Sequence, residues 1–342
     1  MTNSKTGYRT IAIWAAILAV AAIAVAWAIP YIYGNAGVRS MVYIRPGMDI
    51  VALGDTLQIY LSDGFARRTA QVLAWLDVDL SARYGAYEIN PNDNPIAVAK
   101  KIRNHEQTPV KFTFNNLRLK EQFSQRASQQ LMMHENDIET LLNDSATCAA
   151  YGKTPATITN ILLPDTYEMY WNISPGKLLE RLHSYYEQFW NSDRQAKAKA
   201  LGLTPDEVQT LASIVEEESA KTDEYGKIAR LYLNRIERGI PLQADPTIKF
   251  AIGDFSIRRI TRAMLAVPSP YNTYINPGLP PGPIRIASKR AIDAVLNAPQ
   301  HNYLYMCAKE DFSGYHNFTA SYSQHLANAR RYQAELNRRN IK

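Results

Sequence analysis

The chain has 342 residues, 46% of them hydrophobic, and a formal charge of +6. That apolar content argues against wholesale disorder, and the length allows two modest domains once a hydrophobic N-terminal segment is set aside. The positive excess is thinly spread, which fits a membrane surface or an acidic polymer; no zinc-finger spacing or RRM-type aromatic motif accompanies it, so nucleic acid gains no support.

Residues 11–29, IAIWAAILAVAAIAVAWAI, form an unbroken apolar run. At about 1.5 Å per residue this run crosses most of a hydrocarbon core of roughly 30 Å. Lys5 and Arg9 precede it, Tyr31 and Tyr33 follow, and the next basic residue is Arg39. The positive-inside rule puts residues 1–10 in the cytoplasm, makes 11–33 a transmembrane anchor with interfacial tyrosines, and leaves the rest outside. A cleaved signal peptide is the competing reading. The Ala24-Val25-Ala26 pattern, however, lies inside the run, and the run exceeds the usual apolar region of such a peptide.

Residues 42–145 read as a small α+β module with a helical connector. Strands are expected at Val42–Ile44, Gly85–Ile89 and Val110–Phe114, and helices at Asp49–Leu61, Phe65–Leu76 and Ile96–Asn104. Leu117–Leu142 reads as helical and polar, and Ser145–Pro155, rich in small residues, as a boundary. Residues 150–342 read as a second, mainly helical domain with long loops. Ser174-Pro175 opens a helix to about Trp190. Thr204-Pro205-Asp206-Glu207 is a strong helix start, with an N-cap Thr, a Pro at the first position and a Glu three after the cap. A helix over Tyr225–Arg238 ends at Gly239, Pro/Gly/Asn/Thr-rich loops fill Ala266–Pro283, and a helix covers Ser288–Asn297. A strand at Tyr303–Ala308 and a closing helix near Ser323–Arg338 follow. Cys148 and Cys307 read as small buried hydrophobes, and their pairing is left open.

Three adjacent carboxylates stand near the end of the helix opened by Thr204. Projected at about 100° per residue, Glu218 lies roughly 50° from the mean apolar direction, Glu216 roughly 110° and Glu217 roughly 150°. Glu217 is therefore expected to face solvent. Glu218, nearest the apolar stripe, is expected to have a raised pKa, which suits a general acid. Acidic runs on helices are more often solvated faces, so the neighbours matter. Gln243-Ala244-Asp245-Pro246-Thr247 and Ser269–Tyr274 supply amides, hydroxyls and rings suited to carbohydrate. Asp245-Pro246-Thr247 reads equally as a turn followed by an N-cap. No HExxH, Cys/His metal spacing, GxSxG, Walker A or dinucleotide fingerprint occurs.

Several stretches resemble the MltG/YceG-like endolytic murein transglycosylases, in order and at family-like spacing. They are Leu211–Ala220 (LASIVEEESA), Ile228–Gly253 (IARLYLNRIERGIPLQADPTIKFAIG), Pro270–Pro283 (PYNTYINPGLPPGP), Tyr303–Tyr305 and His316–His325 (HNFTASYSQH). Leu163–Tyr167 (LPDTY) matches a family segment between the two halves. Arg45-Pro46-Gly47, Leu53-Gly54-Asp55 and Gly85-Ala86-Tyr87 carry a looser likeness in the N-terminal half.

The resemblance implies an α+β chain with an anchor, a LysM-like glycan-binding module and a lysozyme-like catalytic domain. It places the catalytic role on Glu218, the second fixed acid of the family's E-x-E-[ST] segment, which reads here Glu216-Glu217-Glu218-Ser219. Asn234, Gln243, Asp245, Thr247, Tyr271, Asn272 and Thr273 are the candidate substrate-binding residues. The implied reaction is cleavage of the MurNAc–GlcNAc bond of peptidoglycan without water, giving 1,6-anhydro-MurNAc ends, with neither metal nor organic cofactor. The implied setting is the bacterial inner membrane, with the catalytic domain periplasmic, terminating nascent strands beside peptidoglycan synthases. A hydrolase using Asp245 as second carboxylate, or a non-catalytic glycan-binding scaffold, are the rivals.

Overall fold

The computed structural model describes residues 3–339; residues 1, 2 and 340–342, the ends of the expected tail and catalytic domain, lie outside the described residues. The chain divides into two compact units. One comprises the residues up to Lys111 with Glu168–Asn172; the other comprises 112–167 with the remainder. The division falls after Lys111, upstream of the expected Ser145–Pro155 boundary, where a short helix stands instead.

The first unit begins with α1 (Asn3–Ile32). Its Tyr8–Ile32 stretch has a mean hydropathy of 2.5 and an exposed apolar surface, long enough to cross a membrane. Strand β1 (Ser40–Ile44) leads to α2 (Ile50–Tyr60), α3 (Asp63–Trp75), β2 (Gly85–Ile89) and α4 (Pro95–Arg103). The ends of these helices follow local chemistry. Asp49 accepts from Ala52 N at 2.7 Å and Asn94 from Ala97 N at 2.8 Å, each satisfying an orphan donor of a first turn. β1 and β2 pair antiparallel, Val42 opposite Tyr87. Val42, Ile44, Leu53, Leu57, Phe65, Leu73, Tyr87, Val98 and Ile102 form the core between sheet and helices. The returning segment adds Trp171, whose ring lies 4.9 Å from Tyr43 and under Arg45.

Strand β3 (Val110–Phe114) is followed by α5 (Lys120–Gln130), α6 (Glu135–Asn143) and α7 (Ser145–Ala150). The expected continuous helical stretch Leu117–Leu142 is thus broken. Leu131 takes an extended backbone and buries its side chain, which ends α5. Strand β4 (Asp165–Met169), formed by the LPDTY segment, makes a two-stranded sheet with β3. Next come α8 (Pro175–Phe189), α9 (Ser192–Ala200), α10 (Pro205–Glu218), α11 (Tyr225–Glu237), α12 (Asp245–Ile252) and α13 (Lys289–Leu296). The chain closes with β5 (Tyr305–Ala308), β6 (His316–Thr319) and α14 (Tyr322–Arg338).

Helix α10 is the centre of this unit. Its capping box is complete: Glu207 accepts from Thr204 N at 2.8 Å, and Thr204 Oγ1 accepts from Glu207 N at 3.3 Å. Every residue from Val208 to Val215 is buried, because α9, α11, α12 and α13 surround the helix. Asp245-Pro246-Thr247 is neither a turn nor a turn with a cap. It is the first turn of α12, with Pro in the first turn, where its missing N–H costs nothing. Cys148 is buried, Cys307 is half-buried, and both are free thiols.

Candidate active site

The three adjacent glutamates at the end of α10 have different surroundings. Glu217 does not face solvent. Arg118 grips it with Nε to Oε1 and Nη2 to Oε2, both at 2.9 Å, and Arg285 Nη1 donates to Oε1 at 2.8 Å. Glu216 Oε2 accepts from Ser288 N at 2.9 Å and lies 3.5 Å from Arg285 Nε. Arg285 is itself buried and reaches Asn116 at 2.6 Å. A helix projection assumes one buried face. Here the loops at 116–118 and 284–288 lie across the side that projection leaves open, so both acids become half-buried ion-pair members.

Glu218 has no basic partner among the hydrogen bonds and ion pairs of the described residues. Its Oε1 accepts from the Tyr232 hydroxyl at 2.6 Å. It stands half-buried on the wall of a cleft of about 470 Å³. Loss of hydration there pushes its pKa up from 4.5 to about 7. The Tyr232 hydrogen bond opposes that rise, and the nearby charge of Asp245 adds to it. Burial beside Glu218 also drives the Tyr232 phenol well above its ordinary value, so it stays a donor.

The cleft is polar with aromatic walls. Asp245 faces it and accepts from the Tyr274 hydroxyl at 2.5 Å. Gln243 faces it too, in the left-handed region with φ 53°, a costly conformation for a residue with a Cβ. It is held there by its N–H to Thr273 O at 3.0 Å and by Arg235 Nη2 to its side-chain oxygen at 2.6 Å. Arg235 is buried, and its other donors go to Pro241 O and Leu304 O, both at 2.9 Å. Tyr305 lies 5.5 Å from Tyr322 and 5.3 Å from His325, ring to ring, and all three line the cleft. Behind Glu218, Ser219 Oγ donates to the buried Glu224 at 3.4 Å. Glu224 also accepts from His316 N at 3.0 Å and lies 2.8 Å from its Nδ1. This ties the end of α10 to β6.

Of the residues expected to bind substrate, Gln243 and Asp245 therefore stand on the cleft. Four others are buried and use their polar atoms inside the protein. Asn234 donates to His301 O and Tyr303 O at 2.8 and 3.0 Å. Asn272 donates to Leu265 O and Val267 O at 3.0 and 2.8 Å. Thr247 and Thr273 share a hydroxyl contact of 2.9 Å, and Thr273 Oγ1 accepts from Ala244 N at 3.0 Å. Tyr271 packs on Phe250 at 4.7 Å and is not among the lining residues. Tyr274 belongs to the Ser269–Tyr274 segment noted for its rings, whereas Tyr232, Arg235, Tyr305, Tyr322 and His325 were not singled out as site residues by sequence. Tyr232 and Arg235 could have been: they sit three apart on α11, on one face, within a mostly apolar stretch.

Comparison with known proteins identifies the family of the chain. The model of the YceG-like family matches residues 42–331. An endolytic murein transglycosylase of Bacillus subtilis (strain 168) is 33% identical over 160 residues, 47% of this chain and 42% of that protein. One of Streptococcus pneumoniae serotype 2 (strain D39 / NCTC 7466) is 32% identical over 151 residues, 43% of this chain and 27% of that protein. The chain thus spans under half the length of the curated relatives it matches. The crystal structure of the yceG-like protein lmo1499 from Listeria monocytogenes superimposes with a TM-score of 0.56 at 23% identity. It covers 84% of this chain and 98% of that one, a likeness of fold. With the family model spanning both compact units and the Glu218 cleft, the chain belongs to the YceG-like family.

Proposed function

We propose that this protein is an endolytic lytic transglycosylase that cleaves the MurNAc–GlcNAc bond of peptidoglycan glycan strands, with Glu218 as its single acid/base. The observation that carries this reading is the Glu218 carboxyl on the cleft wall, with no basic residue hydrogen-bonded or ion-paired to it among the described residues, held by Tyr232 and lifted to about 7. Protonated, it donates to the leaving glycosidic oxygen as the C1–O bond breaks. As carboxylate, it then removes the proton from the muramyl C6 hydroxyl, whose oxygen bonds to C1 and closes the 1,6-anhydro ring. The proton given is the proton regained, and no water is consumed. One carboxylate suffices because the attacking hydroxyl is intramolecular and so has a high effective molarity. The names of the B. subtilis and S. pneumoniae relatives support the same reaction.

Gln243 and Asp245 are proposed as substrate contacts, with Asn234, Thr247, Tyr271, Asn272 and Thr273 shaping the loops that present them. The stretch 150–342 carries the catalytic domain, and 42–145 the LysM-like glycan-binding module with its connector. The β1-α2-α3-β2 build of the first unit supports such a module. Residues 11–33 anchor the chain in the inner membrane with residues 1–10 cytoplasmic, placing the cleft on the periplasmic side beside peptidoglycan synthases. The exposed apolar surface of α1 supports the anchor.

Hydrolysis is the second reading, favoured by the presence of Asp245 on the same cleft, since two-carboxylate glycosidases need a partner for Glu218. Mass analysis of products from purified glycan separates the two. Anhydro ends, one water lighter than reducing ends, are expected from the wild type and none from Glu218→Gln. Reducing ends alone overturn the lyase assignment. No cleavage by either protein favours a binding scaffold.

A further inference from the structure

Helix α1 is not a free tether. Tyr31, in its last turn, is buried in the core of the first unit, and its hydroxyl donates to Gln71 of α3 at 2.6 Å. Asn94, the N-cap of α4, donates to Ile32 O at 2.6 Å. Chain of the same unit thus holds the end of α1 at two points.

A third contact is exposed. Trp75, the last residue of α3, is 57% exposed, and its ring lies 5.5 Å from that of Trp27 and 5.2 Å from that of Tyr31. Trp27 is 58% exposed and 5.0 Å from Tyr31. Three aromatic rings, two of them largely bare, therefore gather where α3 meets the apolar helix.

Their level along α1 is informative. The apolar stretch Tyr8–Ile32 has 25 residues, or about 37 Å of helix at 1.5 Å per residue. A hydrocarbon core of roughly 30 Å leaves several Å of that helix in the interfacial layers. Trp27 lies five residues before Ile32, about 7.5 Å below the helix end. Indole and phenol rings favour that layer, because their apolar bodies and polar N–H or O–H groups are satisfied there together. Trp75 belongs to a different helix yet sits at that level, continuous with the bare surface of α1.

We propose that Trp75 enters the lipid interface beside Trp27, so that the first unit rests on the bilayer at the end of α3, held there by the buried Tyr31 and the Asn94 clamp. This rests on the anchor reading of α1. The recognised surface is the boundary between headgroups and acyl chains, which takes the indole body as the protein interior would. The unit is then fixed in height and tilt against the membrane.

The test uses full-length protein in phosphatidylcholine nanodiscs containing lipid brominated near the headgroup end of the acyl chains. Tryptophan emission of the wild type and of Trp75→Phe is compared with and without bromine. The emission component lost in Trp75→Phe is expected to be quenched by the brominated lipid and shielded from aqueous acrylamide. Quenching by acrylamide and not by bromine overturns the proposal. Alkaline extraction of the same protein from vesicles reads the anchor separately. Release of the protein there defeats the anchor reading itself, and retention together with an unquenched Trp75 component defeats only the interface contact. Trp75→Phe keeps an aromatic ring against Trp27 and Tyr31, and an unchanged melting temperature confirms that the comparison is between folded proteins.

Discussion

A carboxyl that gives a proton and then takes one back works best with a pKa near the working pH. Burial brings Glu218 to about 7, and the Tyr232 hydroxyl, which prefers the charged form, limits the rise. Two outcomes follow for kcat/KM against pH. Its alkaline limb should fall with an apparent pKa near 7, as the protonated acid is lost. Tyr232→Phe removes the donor, so the limb should move to higher pH; an unmoved limb would assign it to another group. Stability carries the same signature. The folded chain keeps a proton on Glu218 that the unfolded chain has lost between 4.5 and about 7, so stability falls as pH rises through that window. Glu218→Gln should therefore melt above the wild type at pH 8 and close to it near pH 4, measured by calorimetry. Glu218 was legible in sequence from its place beside the apolar stripe and in the family-like segment. The environment of Glu217 was not, because Arg118 and Arg285 come from loops 99 and 68 residues away in sequence, and periodicity cannot see them.

Helices with strong end signals were read closely. Thr204-Pro205, Ser174-Pro175 and Asn94-Pro95 each open a helix where the side chain and the proline ring say so. Strands β4 and β6 and helices α9 and α12 went unread. They are short, and tertiary pairing or packing, not local pattern, holds them. The loops between α12 and α13 were legible as loops, but their polar side chains looked like ligand groups when many are internal braces. This gives a contrast at element scale. Asn272→Ala strands two part-buried carbonyls, at Leu265 and Val267, and should lower stability by about 2 kcal/mol, with activity falling alongside. Gln243→Ala should lower activity with a smaller change in melting temperature. Equal losses of stability in the two variants would make Gln243 a brace as well. Arg285→Met leaves Glu216 without its ion-pair partner among the described residues and Glu217 with Arg118, and should cost about 3 kcal/mol in chemical denaturation.

At the scale of the whole molecule, composition and the apolar run led to an expected order of anchor, α+β part and helical part; the structure shows a long apolar helix, a unit of paired strands and helices, and a larger, mainly helical unit. The place where the compact units divide was not legible. Small residues at 145–155 read as a boundary, yet Cys148 is buried there and Ser145–Ala150 is helical. The apolar run likewise gave no sign that its last turn is a core element. Removing residues 1–33 deletes Tyr31 from the first unit, whereas removing 1–25 keeps it. The shorter deletion should retain about 2 kcal/mol more stability in that unit, read from its own melting transition in detergent.

Glu218 is the last residue of α10, and Ser219 leaves the helix in an extended conformation with no basic residue in the final turn. The unsatisfied carbonyls of that turn concentrate partial negative charge where the carboxyl stands. A field of that sign, with the charge of Asp245 nearby on the same cleft, resists an anion but welcomes a cation. Glycosidic cleavage passes through a sugar ring that bears positive charge at C1 and the ring oxygen. In the proposed reaction the end of α10 would therefore serve the oxocarbenium-like state directly, apart from any proton it helps Glu218 to hold. A glycan analogue with a protonated ring nitrogen should bind more tightly than its neutral counterpart, and more so above pH 7, where Glu218 adds its own negative charge.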